Sequence, residues 1–253
     1  MYAELNLMKK IIFMVMVNFI ISQNALATEK ITAKPLIKVT LAKNVIRKIC
    51  SSLTHGCGQD DANIWQIKNS KDQIYYLIDE TPQLIKLQKI ASDYKIIDQW
   101  DFKDYQHSQK ETGDEDLAEG GLRIFPAFYP LNKNDDAIAV VNTWFTSYSG
   151  GGRGEEVADF VQLQPKGKYR LAVKSIPFYS YEMIRACFSE KDYKNSPHCH
   201  DESGSTLSIQ FKDVGKPFYQ WTLNYTNFSW DAFKPEKDKS IEKSREVVMP
   251  FEK

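Results

Sequence analysis

AIAVVNTWFTSY (137–148), SGGGRGEE (149–156), VADFVQLQ (157–164), PKG (165–167) and KYRLAVKSI (168–176) decide how the rest of the chain is read. In the first segment Ile138, Val140, Trp144 and Tyr148 fall on one face of an extended strand, and Ala139, Val141 and Phe145 on the other. Side chains alternate across a strand with period two, so apolar residues on both faces mark a strand covered from both sides. Its partner after the glycines places Val157, Val161 and Leu163 on one side. The third segment alternates Tyr169, Leu171 and Val173 with Lys168, Arg170 and Lys174, as a half-buried strand does. Residues 149–156 read as a glycine-rich loop joining two antiparallel strands, and Pro165-Lys166-Gly167 as a turn into the third.

Outward from this block the period of two recurs. Residues 64–68, 73–78, 84–90 and 94–102 are four strand candidates separated by short polar gaps, the requirement of an antiparallel meander. No further repeats complete a propeller. Leu207, Ile209 and Phe211, then Tyr219, Trp221, Leu223 and Tyr225, form a last hairpin across 213–217. One segment has helical spacing: Val39, Ala42, Val45, Ile46, Ile49, Cys50 and Leu53 fall at intervals of three and four, and Gly56 and Gly58 end it. Residues 177–188 fit strand or short helix equally. The charged tail beyond Lys234 is read as a frayed helix ending at Val247-Val248-Met249-Pro250. Counting gives about nine strands and one sure helix. The expected class is mainly β (α+β): an antiparallel β-sandwich or two-lobed antiparallel sheet with one N-terminal amphipathic helix.

The 253 residues, 42% of them hydrophobic, fit one domain over 28–253. Sub-lobes 28–102 and 122–253 would be joined by the acidic loop 103–121, which carries Asp104, Glu111, Asp114, Glu115, Asp116 and Glu119. Ahead of the domain, Lys9 and Lys10 precede an apolar run over 11–21, and Ala25-Leu26-Ala27 precede Thr28. That is the grammar of a secretory signal peptide over 1–27. The run is too short to span a membrane, which takes roughly 20 apolar residues, so no stable membrane anchor is expected after cleavage. No cysteine follows the cleavage site to be acylated. Removal of Glu4, Lys9 and Lys10 leaves 31 basic against 32 acidic side chains, a balance that gives nucleic acid nothing to bind. A bacterial periplasmic or secreted protein is expected. The sequons at Asn224 and Asn227 overlap an aromatic strand, where a bulky sugar has no room.

Four cysteines in an exported chain fit two disulfides; three connectivities are open, and the sequential one, Cys50 with Cys57 and Cys187 with Cys199, is the expected pairing. Neither pair has C-x-x-C zinc spacing.

Two clusters carry candidate chemistry. In 149–156, Arg153 beside Glu155 and Glu156, with Tyr148 at the base, could grip another macromolecule, since an exposed guanidinium binds carboxylates bidentately. Phosphate loops feed a helix N-terminus, whereas this segment joins strands, so it is no nucleotide site. The second cluster is His198-Cys199-His200-Asp201-Glu202, metal-like in composition; but adjacent positions rarely converge on one ion, and an oxidised Cys199 is no ligand. His55 and His107 are distant in sequence. Nucleophilic signatures are weak: G-x-S-x-G is absent, and the S-x-x-K matches at Ser92 and Ser240 fall in a turn and the tail. Asp60-Asp61 and Asp114-Glu115-Asp116 lack the pattern of a catalytic pair or calcium loop. Trp230, Phe228, Phe178, Tyr179 and Tyr181 are candidates for an exposed aromatic patch, though most aromatics belong to the core. No cofactor and no metal are expected, and oligomeric state is not legible. The expected function is binding another protein, as an inhibitor or immunity-type protein that blocks an envelope-acting enzyme; the alternative is a periplasmic hydrolase using His198, His200 and Asp201.

Overall fold

The computed structural model describes residues 30–53, 55–58, 62–107 and 117–252. The expected signal peptide, Asp60-Asp61 and Asp114-Glu115-Asp116 lie outside them. Ile31–Lys253 form one compact unit. The chain is mainly β, as expected, and its strands belong to one open antiparallel sheet of twelve.

In chain order the strands are β1 (Lys34–Val39), β2 (Asn63–Ile67), β3 (Ile74–Ile78), β4 (Gln83–Ile90), β5 (Asp93–Asp101), β6 (Ala118–Pro130), β7 (Asp136–Tyr148), β8 (Gly151–Leu163), β9 (Tyr169–Arg185), β10 (His200–Lys212), β11 (Gln220–Trp230) and β12 (Ser240–Val248). Helix α1 is Lys43–Ser51 and α2 is Glu190–Asn195. Across the sheet the order is β12-β11-β10-β9-β8-β7-β6-β1-β2-β3-β4-β5. Two meanders, β2–β5 and β6–β12, are therefore spliced by β1, which pairs Leu36 with Ile67 on one side and Lys34 with Phe128 on the other.

This order explains the long acidic connection. β5 ends at the outer edge while β6 lies beside β1, so the link must cross the sheet. On the way Tyr105 donates its hydroxyl to Asp159 Oδ2 at 3.0 Å in β8, and His107 lies against Asn142 and Trp144 of β7. His107 Nε2 is 2.9 Å from Glu119 Oε1, so the two flanks of the acidic segment are tied together.

The first half of β7 is covered on both faces as its sequence promises, whereas Phe145 and Tyr148 near its end are exposed. Ala137, Ala139 and Val141 enter one core with Tyr129, Phe160, Phe211, Trp221 and Leu223. Ile138 and Val140 enter a second core with Leu36, Tyr76, Trp100, Phe102 and Val161. A third cluster packs α1 through Ile49, Cys50 and Leu53 onto Ile64, Leu77, Ile85 and Leu87. Indole N–H groups fasten distant strands: Trp100 Nε1 donates to Gln164 O at 2.8 Å, and Trp221 Nε1 to Pro130 O at 3.1 Å. Asp98 receives the Lys166 and Gly167 N–H groups, at 3.1 and 2.9 Å, so β5 holds the β8–β9 turn from outside. Lys166 and Gly167 both have positive φ, 61° and 70°, the backbone that a tight hairpin turn demands.

Three local expectations are corrected, at the start of α1, over 149–156 and in the tail, and the open choice at 177–188 is settled. The residues around Pro35 form β1, which takes Val39 for the ladder, so α1 starts at Lys43 rather than at 39. Residues 149–156 are not a loop: Ser149 and Gly150 make a two-residue turn with Gly150 at φ 87°, and β8 begins at Gly151. The segment 177–188 is mostly strand, because β9 runs for 17 residues. Ser175 absorbs a bulge there at φ 56°, its N–H bonded to the buried Asp159 at 2.7 Å. Residues 189–204 hold α2, with Ser189 and Asp192 in a capping box, and the start of β10. The tail forms β12 on β11, from Ser229↔Ser240 to Trp221↔Val248, in place of the expected helix.

Candidate functional site

The ladders carry the β7–β8 hairpin residues onto a surface shared with β9, β10 and β11. Arg153 stands opposite Glu182, which stands opposite Ser203; two positions on, Glu155, Ser180, Ser205 and Asn227 form the parallel row. Directly paired residues share a face of a sheet, so both rows point the same way. Together they line an open trough of about 420 Å³, with Tyr181, Gly204 and Phe228 completing it. Gly204 leaves room for the ring of its partner Phe228, since a Cβ there would lie 2.6 Å from Ser180 O and 2.9 Å from Phe228 Cε1.

At one end Tyr148 and Ile184 flank Gly151 and are 40% and 44% exposed. The Tyr148 hydroxyl donates to Glu182 Oε1 at 3.1 Å. Desolvation first, and the Glu182 bond second, raise its pKa above the ordinary tyrosine value, so it stays a neutral donor. Arg153 Nη2 donates to Glu155 Oε1. Arg153, Glu155 and Tyr148 therefore converge, with their polar atoms already oriented by protein partners.

Glu156 does not join them. Successive strand residues point to opposite faces, and its carboxylate accepts from Arg123 Nη2 at 2.6 Å. Sequence reading missed Ser180, Glu182, Ser203, Ser205 and Asn227, which complete the trough. The available signal was alternation in 179–183, where Ser180 and Glu182 alternate with Tyr179, Tyr181 and Met183; Ser203 and Ser205, set among Glu202, Gly204 and Thr206, carried no such signal.

The histidine cluster is arranged differently. The His198 ring lies stacked on Trp230, its Nε2 is buried without a hydrogen bond among the described residues, and Glu202 Oε1 lies 3.9 Å away. The His200 ring is 6.1 Å from that of His198, and Asp201 Oδ1 accepts the Ala232 N–H at 2.7 Å. Among the described residues no three His, Cys, Asp or Glu side chains converge as metal ligands. Both disulfides form in the expected pairing, Cys50–Cys57 and Cys187–Cys199. No helix among the described residues is long and apolar enough to cross a membrane.

Comparison with family models, curated proteins and solved structures gave no match. Function is therefore argued from the chain's own geometry.

Proposed function

We propose that this chain is an exported binding protein of the bacterial envelope, and that its partner is another protein held on the trough face of β7–β11. One observation carries this reading: Tyr148, Arg153 and Glu155 meet on a single face, where Glu182 and the serine rows join them beside exposed Ile184. Protein interfaces combine aromatic and arginine anchors with polar groups of this kind. Because the residues sit on paired strands, binding costs little ordering entropy. A rigid, charge-bearing face suits an inhibitor or immunity-type protein that blocks an envelope-acting enzyme. Two disulfides fit an oxidising compartment, and with the signal-like N-terminus they favour the periplasm. The hydrolase alternative draws less support, since His198 lies under Trp230 and the Asp201 carboxylate is engaged by backbone.

The test is affinity capture from a bacterial envelope extract with residues 28–253, compared with the triple variant Tyr148→Ala, Arg153→Ala and Glu155→Ala, its folding verified by circular dichroism. A partner held by the native face and released by the variant is expected. Identical recovery by both would remove this face from the proposal.

A further inference from the structure

The ladder between β9 and β10 stops at Thr206↔Tyr179, although both strands run on. β9 remains with β8 as far as Leu163↔Tyr169, and β10 remains with β11 as far as Lys212↔Gln220. Where the two strands part, a cleft of about 360 Å³ opens, lined by Phe125, Tyr129, Phe178, Tyr179, Leu207 and Ile209 with Thr206 and Glu156. Small-molecule sites span roughly 300–1,000 Å³. The cleft leads into the main core: Tyr129 is buried in it, and Phe125, Phe178, Leu207 and Ile209 pack half-buried against it. Water gains little among such walls, whereas an alkyl chain restores the missing dispersion contacts.

Its rim is charged but balanced. Arg123 Nη2 donates to Glu156 Oε2 at 2.6 Å, and the guanidinium carbon lies 5.6 Å from the centre of the Phe125 ring. A purely anionic head near Arg123 would meet the Glu156 carboxylate, and a purely cationic head near Glu156 would meet Arg123. A head with both charges satisfies both.

We propose that this cleft binds a single-chain zwitterionic amphiphile of the lysophospholipid class, with the chain among the aromatic rings, the phosphate toward Arg123 and the ammonium toward Glu156. The site is separate from the trough and stands independently of the protein partner proposed there.

The experiment is calorimetric titration of residues 28–253 with monomeric lauroyl lysophosphatidylcholine, laurate and dodecyltrimethylammonium. The expected result is one saturable site, about tenfold tighter for the zwitterion than for either charged chain. Ile209→Trp, which fills the cleft, should weaken the zwitterion by about tenfold or more. Glu156→Gln leaves Arg123 unopposed and should move laurate level with or ahead of the zwitterion, an outcome that simple destabilisation does not produce. Absence of saturable binding overturns the proposal. So does an affinity order unchanged by both substitutions, which would place the chain elsewhere. Co-sedimentation with phosphatidylcholine vesicles, without binding of the monomer, would assign the surface to a bilayer and also refute it.

Discussion

The imidazole of His198 lies flat on the indole of Trp230, ring centroids 3.5 Å apart and planes 1° from parallel. The stack joins the segment closed by Cys187–Cys199 to the end of β11, and the Trp230 Nε1 donates to Lys234 O at 3.0 Å. Trp230→Ala should cost about 2 kcal/mol, within the usual range for a packed aromatic, and Trp230→Phe well under half of that. Denaturant midpoints of the three proteins measure the difference. Equal midpoints would show the stack to be incidental.

Two glycines of β8 should respond oppositely. At Gly151 an added Cβ would collide with the Met183 carbonyl oxygen, whereas at Gly154 the nearest atom, Trp144 O, is 3.8 Å away. Gly151→Ala is expected to destabilise by about 2 kcal/mol or more. Gly154→Ala should fall within about 0.5 kcal/mol of the native protein or stabilise it, since alanine has less unfolded-state freedom to lose. Thermal melts of the pair decide whether β8 is held as tightly as its ladders imply.

Alkali should unfold the protein. Burial, the largest cause for each, raises the hydroxyl pKa of Tyr76, Tyr105 and Tyr129, and pushes Tyr225 up to about 12. Raised folded values mean that this stabilisation is complete below the unfolded tyrosine pKa of about 10 and is lost as pH climbs through the folded values. Tyrosinate absorbance and circular dichroism, followed together upward from neutral pH, should show these residues ionising with loss of structure. Early ionisation in an intact fold would contradict their burial.

Reductant should lower the melting temperature. The bridges close separations of 7 and 12 residues, and each is worth about 2–3 kcal/mol in the chain-entropy model. Loss of either should depress the midpoint by roughly 5–10 °C. A Cys187→Ser, Cys199→Ser double variant should reproduce the part due to that bridge. Melting curves that coincide with and without reductant would mean the bridges add no stability.

Tyr105→Phe removes the hydroxyl that ties the sheet-crossing connection to the buried Asp159. A cost of about 1 kcal/mol is expected, the usual net worth of one intramolecular hydrogen bond. Amide exchange around 103–107 should speed up selectively; unchanged protection there would detach this contact from the loop's order.

Much of the fold is written locally. The meander of β2–β5 was legible because alternation and polar gaps are properties of neighbours in sequence, and the two cores on either side of β7 follow from Ile138, Val140, Ala139 and Val141. The cysteine count pointed to two bridges, but their connectivity among three possibilities was fixed only by the fold. The candidate site was half legible: Tyr148, Arg153 and Glu155 stood out as chemistry, while Glu182 and Ser203 looked like ordinary strand and loop residues.

Hydrogen-bond partners, by contrast, are non-local. Gly151, Gly152 and Gly154 have the composition of a loop and become strand because β7 and β9 offer ladders on both sides. Residues 240–248 likewise have no apolar face of their own and are extended only because β11 leaves an edge to pair with. Which polar residues stand in one row was therefore decided by register between strands, a quantity that depends on the closed set of pairings and that no single segment contains.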